Sequence, residues 1–262
     1  MTTVQDILDL IQTFAPLETA EEWDNVGLLV GRRDQEVKRV LVALDPFPAV
    51  IEEAEKTGAE LILVHHPLMF DTKRVTEDDV LGRSIRRLVL ADISEISLHT
   101  NLDRAQGGVN DCLAKAAGLE KIGFLEVDGV DCNGREYGYC RVGEVPEQDL
   151  DTYAAFVKKS LGCQAVRVVS GGKPVHRVAV GSGSSAKFAL AAAEAGCDTY
   201  VTGDEKYSNF QEAVEIGLNV IDAGHFYTEN VVCRALKERL NTAFPELDVE
   251  ISRTHADMIR FL

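Results

Sequence analysis

Long apolar runs, cysteine pairs and basic clusters are all scarce in this 262-residue chain, and each scarcity excludes something. No run approaches the ~20 apolar residues needed to cross a bilayer, so no membrane partner is expected. The six cysteines, at 112, 132, 140, 163, 197 and 233, contain no C-x-x-C pair and do not cluster. Neither a zinc–cysteine cluster nor a disulfide framework is therefore indicated, and reduced thiols, mostly buried, are expected. Lys and Arg number 27 against 43 Asp and Glu, a formal charge of -16. That field repels polyanions, and no nucleic-acid partner is expected. The densest basic knot, Arg83, Arg86 and Arg87, reads as one face of a helix. The chain opens on an acidic amphipathic stretch, Thr3 to Phe14, with no basic-then-apolar leader, so a cytoplasmic location is expected.

What is present is a globular composition, 45% hydrophobic and 27% charged, at a length that suits two domains. An internal repeat supports that division. Val37 to Pro67 aligns without a gap on Val175 to Glu205, pairing Arg39 with Arg177, Val40 with Val178, Val42 with Val180, Ala54 with Ala192 and Gly58 with Gly196. Each copy reads as strand (Val37 to Leu44; Val175 to Val180), Ala- and Glu-rich helix, glycine turn, second strand (Leu61 to Val64; Thr199 to Thr202). The unbroken apolar run LILV is the mark of a central parallel strand covered on both faces. Further on, aligning His99 with His225 brings Asp103 onto Glu229. The expected fold is α/β: two related domains from a duplication, residues 1–125 and 126–262, each with a mostly parallel sheet flanked by helices. Between the repeats an extra strand (Glu136 to Val145) and a helix (Gln148 to Leu161) are expected.

Ligands of parallel sheets bind beyond the carboxyl ends of the strands, and the expected site is the cleft between the domains. His65 and His66 stand at such a strand end, before Pro67. Alone, a His-His pair reads more simply as two polar residues at a loop start. Four of the six histidines (65, 66, 99 and 225), however, fall at corresponding strand ends of the two repeats. His225 and Glu229, four apart ahead of a helical stretch, can share an ion if the helix opens near Tyr227 or Thr228. For Glu229 alone, helix-start electrostatics is an equal explanation. His65, His66, Asp103, His225 and Glu229 together offer nitrogen and oxygen but no thiolate. That suits Zn, Mn, Fe, Ni or Co, and five donors suffice for two ions about 3.5 to 4 Å apart sharing a carboxylate. A metal-bound water ionises near neutral pH, which makes hydrolysis the expected chemistry.

The segments EEWDNVGLLVG (21–31), VLVALD (40–45), LILVHHPLMF (61–70), SLHTNLDRAQGGVND (97–111), YVTGDEKY (200–207) and LNVIDAGHFYTE (218–229) resemble the Nif-three-like dinuclear metal proteins, also known as GTP cyclohydrolase I type 2 homologs. The resemblance implies that those five residues are the ligands of two divalent ions. It implies that Glu229 bridges, His66 and Asp103 serve one ion and His65 and His225 the other, and His99 stands beside the cluster. It further implies a toroidal homohexamer with the sites facing an inner cavity, and the chain lacks the inserted domain of longer relatives. Two places depart from the family pattern. Ser208 and Asn209 follow Tyr207 where a histidine and an aspartate are usual, and the terminal THADMIRFL fits poorly.

His99, Asp204 and Glu205 are the candidates for proton transfer or for holding a ligand imidazole, with solvated loop acids the plain alternative for the last two. Gly181 to Ser185 could cradle a phosphate but reads better as a turn. Trp23, Asp24 and Asn25 either line the cavity mouth or cap the N-terminal helix by packing. The expected function is metal-dependent hydrolysis of a small nucleotide-like substrate, and the family label points to opening of the guanine imidazole ring with loss of formate. A non-catalytic metal-handling or regulatory protein is the rival from another class. A phosphoesterase of the Asp-His-His type ranks lower, because Val64 stands where such enzymes have aspartate.

Overall fold

Short runs of Val, Leu and Ile alternate along the chain with Ala- and Glu-rich stretches, and the computed structural model, which describes residues 1–262, resolves them as strands and helices in turn. The first part of the chain forms α1 (Val4–Gln12), β1 (Gly27–Val30), β2 (Arg39–Ala43), α2 (Pro48–Thr57), β3 (Leu61–Val64), α3 (Val80–Leu90), β4 (Ser94–Ser97), α4 (Thr100–Arg104) and α5 (Val109–Ala116). There follow β5 (Glu120–Phe124), β6 (Gly129–Val130), β7 (Glu136–Tyr137), β8 (Arg141–Gln148), α6 (Leu150–Leu161), β9 (Arg167–Val169) and β10 (Val175–Ser184). The chain closes with α7 (Ala189–Glu194), β11 (Thr199–Gly203), α8 (Tyr207–Glu215), β12 (Asn219–Asp222), α9 (His225–Ala243) and β13 (Asp248–Ile251). No helix is long and apolar enough to cross a membrane.

Two compact units emerge, each assembled from several stretches: Met1–Leu102 with Asp131–Asn133 and Cys233–Ala256, and Asp103–Val130 with Gly134–Val232 and Asp257–Leu262. The first holds a five-stranded sheet in the order β1-β4-β3-β2-β13. Strands β13, β2, β3 and β4 run parallel and β1 antiparallel to β4. Every residue of β3 is buried, as its unbroken apolar run requires. Its core joins Leu41, Ala43, Ile62 and Val64 to Val50, Ile51 and Ala54 of α2 and Ile85 and Leu88 of α3. The arginines of α3 lie outside that core: Arg87 pairs with Glu55 and Arg86 with Glu77.

The second unit holds a six-stranded sheet, β5-β8-β10-β11-β12-β9. Its centre, β10, β11 and β12, is parallel, with antiparallel β8 and β9 on either side. Both helices that follow a first parallel strand stop at a left-handed glycine, Gly58 at φ +69° and Gly196 at φ +79°, a conformation that other residues adopt only at a cost. The strand expected over Glu136 to Val145 is in fact two, β7 and β8. The break falls where a Cβ on Gly138 would lie 2.2 Å from the Glu126 carbonyl and where Cys140 takes φ +59°. Helix α6 starts after Asp149, whose carboxylate accepts from the Thr152 amide and so caps the helix.

Candidate metal site

In the first unit the donors are set by how β3 ends. The amides of His65 and His66 both donate to the Leu44 carbonyl, at 3.2 and 2.9 Å, so the chain turns there. Two consecutive imidazoles that a continuing strand would send to opposite faces are thereby brought side by side, their ring centroids 4.9 Å apart. His99, just past β4, lies 5.3 Å from His65 and 5.7 Å from His66 between ring centroids. One ligand atom from each of the three lies within 4.8 Å of the others, a group that could hold a metal ion.

Each ring is fixed through Nδ1. His65, fully buried, donates from Nδ1 to the Leu98 carbonyl at 2.7 Å. His66 Nδ1 meets Asp45 at 2.6 Å and His99 Nδ1 meets Asp24 at 2.8 Å. A carbonyl can only accept, so neutral His65 carries its proton on Nδ1 and its lone pair on Nε2. A carboxylate selects the same tautomer in the other two. Burial pushes the Asp24 carboxyl up, but hydrogen bonds from His99 and Thr100 outweigh it and hold the group at about 2, so it stays an anion.

The second unit presents Asp103, His225 and Glu229 around the end of β10. His225 is the first residue of α9, which opens earlier than Tyr227, and Glu229 follows one turn on with Oε2 3.0 Å from His225 Nε2. His225 Nδ1 is fixed by Asp204 at 2.7 Å, repeating the arrangement of His66 and Asp45. Asp204 adopts φ +56° just after β11, a conformation uncommon outside glycine but tolerated by aspartate, and it is one means by which sites hold strained groups. Asp103, 8% exposed, accepts from Ser182 Oγ at 3.4 Å, and its ligand oxygen lies within 4.8 Å of that of Glu229. Asn110 holds this arrangement by donating to the Asp103 carbonyl at 3.0 Å and accepting from the Ser182 amide at 2.9 Å.

The stretch Gly181 to Ser185 belongs to β10 as far as Ser184, with the register against β11 broken between Val180 and Ser184. Gly183 stands there at φ +59°, and a Cβ on it would lie 2.1 Å from Glu229 Oε1 and 3.2 Å from His225 Nε2. Only glycine leaves room for the carboxylate. Glu205 does not join this group. Its amide donates to Asp222, its carbonyl accepts from Arg167, and its carboxyl is raised by burial with Asn209 as hydrogen-bond partner. Asn209, which with Ser208 departs from the pattern expected after Tyr207, thus serves Glu205.

Three roles escaped the sequence reading: Asp45 and Asp24 as holders of imidazoles, and Gly183 as the gap that admits Glu229. Asp45 and Asp24 lay inside the quoted segments VLVALD and EEWDN, yet nothing local pairs them with histidines 21 and 75 positions away. The donors in both units are imidazole and carboxylate, while all six cysteines lie outside them without disulfides. Rings with Nδ1 occupied and Nε2 bearing the lone pair, beside anionic oxygens, fit borderline divalent cations.

Comparison with known proteins identifies the family. The family model Duf34/NIF3 (NGG1p interacting factor 3) matches residues 2–258. A GTP cyclohydrolase 1 type 2 homolog of Clostridium perfringens is 36% identical over 266 aligned positions, covering 99% of each chain. A relative of the same description from Methanocaldococcus jannaschii is 35% identical, covering 94% of this chain and 97% of its own. Among solved structures, Staphylococcus aureus protein SA1388 superposes with a TM-score of 0.92 at 31% identity, covering 100% of this chain and 99% of its own. Reduced HcgD from Methanocaldococcus jannaschii does so at 0.80 and 34%, covering 97% and 98%. By the family match along nearly its whole length, the chain belongs to the Duf34/NIF3 family.

Proposed function

We propose that His65, His66, Asp103, His225 and Glu229 together hold two divalent ions (Zn, Fe, Mn, Ni or Co), and that the protein hydrolyses a small nucleotide-like substrate there. By the family resemblance Glu229 would be shared by the two ions, with His66 and Asp103 assigned to one and His65 and His225 to the other. The observation that carries it is the clustering of imidazole and carboxylate donors: His65, His66 and His99 each bring a ligand atom within 4.8 Å of the others, and His225 Nε2 and an Asp103 oxygen stand beside the Glu229 carboxylate. Nδ1 of His65 is held by a carbonyl and Nδ1 of His66, His99 and His225 by carboxylates, the support that metal-binding histidines almost always have. Ions held in this way supply Lewis acidity and a nucleophile derived from water at neutral pH.

The chain's own groups do the rest. Asp45 and Asp204 orient the rings of His66 and His225 and raise their basicity as donors. His99, backed by the anionic Asp24, is the group suited to take and return a proton beside His65 and His66. The curated relatives' name suggests GTP as the substrate, with opening of the guanine imidazole ring and loss of formate. The parallel triplets β2-β3-β4 and β10-β11-β12, each with histidine just past a strand, support descent of the two units from a duplication. The same reading carries assembly into a ring of six copies, which sedimentation checks. Val64 is fully buried in β3 and offers no carboxylate, which tells against the phosphoesterase reading.

The test is elemental analysis of the purified protein, followed by assay of the metal-loaded form on GTP, phosphodiesters and cyclic amides. About two ions per chain and turnover abolished by His66→Ala are expected. Full metal content with no turnover of any of the three would replace hydrolysis by metal handling.

A further inference from the structure

Beside the imidazoles of the first unit stand two large aromatic residues that the fold leaves in solvent, Trp23 at 63% exposure and Phe70 at 54%. Their ring centroids are 6.2 Å apart with planes inclined by 38°, and each lies edge-on to His99, at 6.0 and 5.9 Å. An exposed aromatic alone is ordinary. These two are held in place from both sides. Next to Trp23, Asp24 is tied to His99 and to the amide of Thr100, and Asn25 donates to the Met69 carbonyl at 2.8 Å, which also fixes the residue preceding Phe70. The backbone beneath both rings is thus anchored while their faces stay open, so little freedom remains to be lost when something flat settles on them.

We propose that Trp23 and Phe70 form a stacking subsite for a planar heteroaromatic ring, such as a purine base, presented to the His65–His66–His99 cluster. The inference rests on the metal-site reading for its purpose but not for its geometry. Exposed aromatic faces stack on a flat ring, and stacking accepts any base because every base has a π-face. The exposed acids Glu22 and Asp71 flank the two aromatics in sequence and disfavour an anionic ring, so the ligand ring is neutral or protonated. The surface thereby names a nucleobase-like group where the donor atoms alone name only a hydrolysable bond.

Trp23 is the only tryptophan in the chain, so its fluorescence reads this subsite alone. The full-length protein, chelator-treated and zinc-supplemented, is titrated with guanosine and, in parallel, with ribose 5-phosphate. Zinc binding is followed separately by calorimetry. Guanosine is expected to quench Trp23 saturably and ribose 5-phosphate to leave it unchanged. Phe70→Ala should weaken guanosine binding about tenfold, Phe70→Tyr should restore it, and zinc affinity should hold in both. Saturable quenching in a protein that fails to bind zinc would uphold the subsite and sink the metal reading. Normal zinc binding without a guanosine response would overturn the subsite and leave the metal reading standing. Equal quenching by ribose 5-phosphate, or a signal that follows protein concentration because a second copy covers the rings, would also overturn it.

Discussion

Replacing Gly183 by alanine tests the second unit's donor geometry with a single methyl group. At φ +59° an L-residue costs ~1 to 2 kcal/mol of backbone strain. The added Cβ would also lie 2.1 Å from Glu229 Oε1, where ordinary contact begins at 3.4 Å. The carboxylate must therefore retreat by roughly 1 Å, a displacement of the size that costs about 100-fold where geometry decides function. Zinc titration by calorimetry should show an affinity loss of about that size, and strain alone should lower Tm by about 2 to 8 °C. In a Glu229→Ala background the clash is gone, so the second substitution should cost only the strain; this double-mutant cycle separates the two effects. Unchanged zinc affinity in Gly183→Ala would refute the claim that this glycine exists to admit Glu229.

Asp45→Asn and Asp204→Asn remove the anions that orient His66 and His225, and each should weaken zinc binding about 10- to 100-fold with the fold intact by circular dichroism. Asp24 is held at about 2 against an unfolded 3.8, so its stabilisation is present above pH 3.8 and is lost as pH falls toward 2. Asp24→Asn should remove about 1 to 2 kcal/mol at pH 6 and flatten the acid limb of a urea-denaturation series. Glu95, buried in β4, behaves in the opposite sense. Burial raises its carboxyl to about 8 from 4.5, against a smaller opposing effect of the Leu68 amide, so the stability of the protonated form is complete below pH 4.5 and erodes as pH rises through 8. Glu95→Gln should stabilise the protein at pH 8 by up to about 4 kcal/mol and not at pH 4; a constant difference across that range would refute it.

The central strands were legible because their residues are uniform. LILV at 61 to 64 is β3 without adjustment, and the strands begun at Val175 and Thr199 are β10 and β11. Candidate donors could be nominated from sequence because strand-end histidines recur in both repeats. Glu95 was not, since a charged residue inside SEIS argues against the buried strand it occupies. Gly183 was read as part of a loose turn because nothing local reveals a carboxylate 46 positions later pressing on it. The break between β7 and β8 was hidden for the same reason, its cause being the distant Glu126 carbonyl. Strand β13 was missed altogether, since DVEI alternates like any exposed tetrapeptide and only its partner β2 makes it a strand.

That last strand has a bearing on biosynthesis. A ribosome delivers β2 long before Asp248–Ile251, the segment that covers its outer hydrogen-bonding edge. Until then a nascent polypeptide carries a bare parallel edge, open to pairing with its neighbours on a polysome. Premature termination anywhere ahead of residue 248 would make that exposure permanent, so such truncated products should be sticky.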